Sequence, residues 1–137
     1  MHAAKGYFGR TGLIIAAFRG YRDILEVLLE NNANVNAKAN NGLTALMDAA
    51  FQGSVENVEI LLQNNAEINA KANNGMTALI CAAFYGHIDT VKALLQNNAD
   101  IDAKDNKGKT AMDWAITGGH YNIFELIYLS RDILKDF

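Results

Sequence analysis

Between Thr44 and Gln63 the hydrophobic positions fall into two short runs separated by a glycine. The first, Ala45-Leu46-Met47-Asp48-Ala49-Ala50-Phe51, predicts a short helix. Thr44 suits its N-cap, because a threonine hydroxyl can accept a hydrogen bond from a first-turn N–H. Gly53 suits its end, where the chain must adopt a left-handed conformation. The second run places Val55, Val58, Ile60, Leu61 and Leu62 on the apolar stripe of another helix. Asn65 then takes the left-handed position that glycine usually fills. The link that follows, residues 66–75, is polar and rich in Asn and Gly, with one Ile, Ile68, expected to be buried. That composition predicts an extended, hairpin-like turn.

Neither helix is long enough to persist alone, since isolated helices shorter than ~12–15 residues are marginal in water. The rest of the chain supplies the remedy by repeating the pattern every 33 residues. Thr11, Thr44, Thr77 and Thr110 are in step, as are Gly20, Gly53, Gly86 and Gly119. The pair Leu28-Leu29 recurs as Leu61-Leu62 and Leu94-Leu95. Four units result, at residues 6–38, 39–71, 72–104 and 105–137, leaving only Met1 to Lys5 outside. The expectation is one domain over residues 1–137 in which neighbouring units bury each other's apolar faces. The Ala-Ala pairs let first helices approach closely, and the Leu-Leu pairs fill the space between layers.

The phrase Gly42-Leu43-Thr44-Ala45-Leu46 through Gly53, together with Gly86-His87, Leu94-Leu95 and "NADIDAKD" at 98–105, resembles the ankyrin-repeat family. The resemblance implies an all-α solenoid of four stacked helix-turn-helix units with short β-hairpin fingers. It also implies a protein-binding role, with fingers and concave groove as the contact face. The chain departs from the family's Thr-Pro-Leu-His at every unit: Thr-Gly-Leu-Ile at 11–14, Thr-Ala-Leu-Met at 44–47, Thr-Ala-Leu-Ile at 77–80 and Thr-Ala-Met-Asp at 110–113. Losing Pro forgoes a backbone angle already set for the first helical position.

Composition narrows the function. Half of the residues are hydrophobic and a fifth are charged, as in a folded soluble protein, and the net charge of −3 argues against nucleic acid as a partner. The single cysteine points to a reducing, cytoplasmic setting, and no run approaches the ~20 apolar residues of a membrane span. Few residues suggest chemistry. Cys81 has no recognisable partner base and reads as a packed thiol. His2, His87 and His120 lie on different units, whereas a metal needs three or four converging ligands. His87 and His120 read as turn residues that hydrogen-bond locally. Lys38, Lys71 and Lys104 form a ladder one repeat apart, read as a solvated face. Asp113-Trp114 reads as a terminal unit covering a different face. No cofactor, metal or catalytic constellation is expected.

The contact residues expected for another protein are Tyr7, Phe8, Arg10, Phe18, Arg19, Leu43, Phe51, Gln52, Met76, Phe84 and Tyr85. Phe18, Phe51 and Phe84 hold one position in three successive units, at a layer spacing of about 8–10 Å. Two other readings accompany this one. The chain is a module of a larger enzyme or host-directed effector, or it is a solenoid piece that self-associates through an uncapped first unit, where Leu13, Ile14 and Ile15 would lack a cover. At the other end Ser130-Arg131 replaces the Asn-Asn pair, and apolar spacing continues to Phe137, so the last helix should run past Ser130 and cap the stack.

Overall fold

The structure, a computed structural model, describes the backbone of residues 11–135 and the side chains of residues 11–131. The expected pairs of helices follow in order: α1 (Gly12–Arg19) and α2 (Arg22–Glu30), α3 (Ala45–Gln52) and α4 (Val55–Gln63), α5 (Ala78–Phe84) and α6 (Ile88–Gln96), α7 (Ala111–Thr117) and α8 (Tyr121–Lys135). The first helices α1, α3, α5 and α7 stack side by side as an inner layer. The second helices pack behind them, each against its own first helix and its neighbours in the row. No described helix is long and apolar enough to cross a membrane.

Each first helix starts at its threonine. Thr11, Thr44, Thr77 and Thr110 accept from the N–H of Ile14, Met47, Ile80 and Asp113, at 3.2 to 3.3 Å. The caps therefore survive without the family's Pro and His. In the last unit Asp113 returns the bond to the Thr110 N–H at 3.0 Å, completing a capping box. Asn32, Asn65 and Asn98 adopt the left-handed conformation after the second helices, with φ of 66°, 70° and 66°.

The inner layer is held by small residues. Ala16, Ala17, Ala49, Ala50, Ala82 and Ala83 are all 2 % exposed or less. Leu25, Leu61, Leu94 and Ile127 fill the space between the layers without exposure.

Three expectations change. The fingers hold no strand among the described residues. Each is a tight turn, in which the Ala39 N–H reaches Leu43 O at 2.9 Å and the Gly42 N–H returns to Ala39 O. Each is also bonded to the next: Asn73 N donates to Asn41 O, and Asn106 N to Asn74 O, both at 3.0 Å. With so few residues per arm, a regular ladder has no length in which to form. Second, Leu13 and Ile14 of α1 are buried and Ile15 is half-buried, so the first helix is covered. The open apolar surface of unit one lies on α2, where Tyr21, Ile24 and Val27 are 47 %, 51 % and 55 % exposed. Third, His87 bonds between units rather than locally: its Nε2 lies 2.9 Å from Phe51 O of the unit before.

The last helix does run past Ser130. It has 15 residues, against nine in each of α2, α4 and α6. Ser130 Oγ donates to Leu126 O at 2.7 Å, so its hydroxyl is satisfied inside the helix, and Arg131 reaches Asp102 of the preceding link at 3.4 Å.

Gly53 meets two demands at once. Its φ is +74°, and a Cβ there would lie 2.4 Å from His87 Nδ1. Gly108 has a similar φ of +78° but open space around it. Gly108→Ala should therefore cost only the left-handed backbone term, ~1–2 kcal/mol. Gly53→Ala should cost more, because the His87 ring must also leave Phe51 O. Urea midpoints of the two variants measure the difference.

Candidate functional site: the aromatic row

The first helices carry aromatic side chains in their last turns, at Phe18, Phe51 and Phe84. Layers separated by a helix diameter would leave successive Phe rings apart. Instead the rings touch. Phe18 and Phe51 have centroids 6.5 Å apart, and Tyr85 inserts between Phe51 and Phe84 at 4.2 and 4.9 Å. Phe84 then meets Trp114 edge-on at 4.9 Å. The result is a continuous row, Phe18–Phe51–Tyr85–Phe84–Trp114, in the tilted and edge-to-face arrangements that aromatic quadrupoles favour. Phe51 and Tyr85 are 36 % and 44 % exposed; Phe18, Phe84 and Trp114 are half-buried.

Trp114 is the residue that position-by-position matching passes over. Unit four carries Thr117 where the other units carry Phe, and Trp114 stands three residues earlier on the same helix face. A substitution one turn away on the same face was the available signal. Trp114 is fixed by its indole N–H, which donates to Asp105 Oδ2 at 2.8 Å, and by the Lys109 ammonium 4.6 Å from its ring centroid. Asp105 also accepts from the Lys107 and Lys109 N–H groups, both at 2.9 Å. Burial works to raise its pKa, but the bonds from Lys109, Trp114 and Lys107 together hold it below the usual carboxylate value. Asp113 therefore pairs with Thr110, and Trp114 with Asp105, rather than with each other.

The remaining expected contact residues divide by position. Arg19 and Gln52 are exposed at the place Tyr85 holds in unit three. Leu43 and Met76, at the fingers, are half-buried against the core. Tyr7, Phe8 and Arg10 lie outside the described residues.

The lysine ladder is exposed, yet two of its members are engaged. Lys38 Nζ donates to Lys71 O at 3.1 Å and Lys71 Nζ to Lys104 O at 2.9 Å. Asn36 and Asn69 do the same work, accepting the Glu67 and Asp100 N–H groups of the following unit at 2.8 Å. These side chains set the spacing of the fingers.

Cys81 sits beneath this face, 4 % exposed on α5. Desolvation, and then the negative charge of buried Asp48, push its thiol up to about 12. A group this reluctant to ionise is a poor nucleophile. Among the described residues no group of three or more His, Cys, Asp and Glu side chains could hold a metal ion.

A family model of ankyrin repeats, in three copies, matches residues 1–72 and again 67–136. The chain belongs to the ankyrin-repeat family. Proteins of this family are generally protein–protein interaction modules and typically not catalysts. Among curated proteins none matches the chain closely enough to count as a relative.

The Cys81 thiol gives two checks. Native protein should resist a thiol reagent at pH 8 and react fully in denaturant. Because the folded pKa is raised from 9.0 to about 12, the contribution of the neutral thiol to stability is complete below pH 9. It should be lost as pH rises from 9 to 12. A Cys81→Ala variant should show a weaker fall in stability over that window.

Proposed function

We propose that the chain binds another protein across its concave face, with the aromatic row as the floor of the contact. The observation that supports this is the continuity of the row. Five rings touch in sequence, and the two at its centre remain more than a third exposed. Covering one exposed aromatic side chain is worth up to ~1.5–3 kcal/mol before the costs of association are subtracted. Phe51 and Tyr85 are already partly covered, so each offers a fraction of that. The scaffold that holds the rings is bonded from unit to unit, which limits the ordering cost on binding. Arg19, Gln52, Leu43 and Met76 flank the row, and Tyr7, Phe8 and Arg10 are proposed to extend the same face.

The test separates binding from folding. Phe51 is neither a surface residue, where truncation costs under ~0.5 kcal/mol, nor a core one, where it costs ~3–5 kcal/mol. Phe51→Ser should cost an intermediate ~1–2 kcal/mol. Tyr85→Ser should cost less and still abolish capture of a bound partner. If both variants keep wild-type affinity, the contact face lies elsewhere.

A second reading has its own observation. Ile24 is half exposed, while its counterparts Asn57, Thr90 and Ile123 are 1 to 2 % exposed because the preceding unit covers them. The strip Tyr21, Ile24 and Val27 is thus a stacking surface that no unit covers among the described residues, and a second copy of the chain is proposed to take it. Sedimentation should show a mass that rises with concentration, and Ile24→Lys should keep the protein monomeric. A constant monomer mass in the unmodified protein rejects this reading.

A further inference from the structure

The charges of the molecule are unevenly spread. On the outer helices Asp23, Glu30, Glu59, Asp89 and Glu125 are exposed and outnumber the exposed cations there, Arg22 and Lys92. The Arg22 guanidinium among them is taken by Glu26 at 3.0 Å and Glu56 at 2.7 Å. Around the aromatic row the balance is reversed. Arg19 stands beside Phe18 at one end, and Lys107 and Lys109 stand at the other. None of these three cations forms an ion pair among the described residues. The nearby carboxylates are used internally: Asp105 accepts from Trp114 and two backbone N–H groups, and Asp113 from the Thr110 N–H and hydroxyl. A chain of net charge −3 therefore presents a row of rings with the Arg19 guanidinium at one end and, at the other, the Lys109 ammonium over Trp114 and Lys107 close enough to act on Asp105.

We propose that the segment bound on this face is acidic: a polypeptide stretch whose apolar or aromatic side chains cover Phe51 and Tyr85 and whose carboxylates meet Arg19 at one end and Lys107 and Lys109 at the other. This rests on the concave face being the binding face. Charge complementarity of this kind steers encounter and fixes the direction in which a segment lies. Aromatic rings and cations also suit a single-stranded nucleic acid. Three cations release few counterions, however, and the acidic outer face repels a polyanion at longer range. A short acidic peptide places its charge only where the cations are.

Dodecapeptides displayed on phage are selected against the full chain, and the enriched sequences are synthesised with a fluorophore and titrated. The expected outcome is peptides with an excess of Asp and Glu over Lys and Arg and at least one aromatic residue. Their affinity should fall as salt rises and be lost with Tyr85→Ser. Arg19→Glu with Lys107→Glu should weaken it about tenfold at low salt. Both substituted side chains are exposed and circular dichroism confirms the fold of the variant. Peptides that need Tyr85 but carry no acidic excess, or that ignore the charge reversal, overturn the inference and leave the binding face intact. Peptides indifferent to Tyr85→Ser overturn the face itself. An oligouridine that binds as tightly as the best peptide overturns the choice of partner.

Discussion

The structure depends on how closely one inner helix can lie against the next. Ala16, Ala17, Ala49, Ala50, Ala82 and Ala83 are enclosed because nothing larger fits between those helices. That proximity sets the distance between units, and the distance sets everything hung on them. It brings His87 against Gly53, Lys38 within reach of Lys71 O, and one finger's amide within reach of the next finger's carbonyl. It also brings the aromatic rings into contact. A wider spacing would leave five separate side chains rather than one row.

The chain lacks the Pro and His that the family places at the start of each first helix, and it compensates between units rather than within them. Asn36, Asn69, Asn73 and Asn106 bridge to the backbone of an adjacent unit, and so do Lys38 and Lys71. Each bond is exposed and singly worth little, since water competes for both partners. Their regularity matters more than their strength. The lysine and Asn36-type bonds serve the first two junctions, and the Asn73-type bond the last two, so each junction holds its fingers in register with a different selection from one set. A surface with fixed register loses little freedom when a partner settles on it.

The helix pairs, their caps and their left-handed ends were legible in the sequence because each rests on local chemistry: a threonine hydroxyl, a glycine without a Cβ, an asparagine that tolerates positive φ. Two kinds of feature were not. Contacts between units depend on the angle at which helices meet, so the insertion of Tyr85 between Phe51 and Phe84 was hidden, as was the reach of His87 to Phe51 O. Trp114 was hidden for a related reason. A repeat read column by column does not reveal that a neighbouring column can supply the same ring. The cover on Leu13 and Ile14 was likewise not readable from a comparison with interior units.

The lysine ladder carries a consequence of another kind. Lys38 bonds the backbone oxygen of Lys71, and Lys71 that of Lys104, so what each donor needs is an acceptor thirty-three positions on and not a particular side chain. The same holds for the finger amides, whose acceptors are also main-chain oxygens. An in-frame duplication of an interior unit, or deletion of the second, would leave the lysine and finger-amide donors at the new junction facing equivalent oxygens. Over generations such a gene can lengthen or shorten by whole units through recombination between its own near-identical phrases, with the bonding between units conserved in kind.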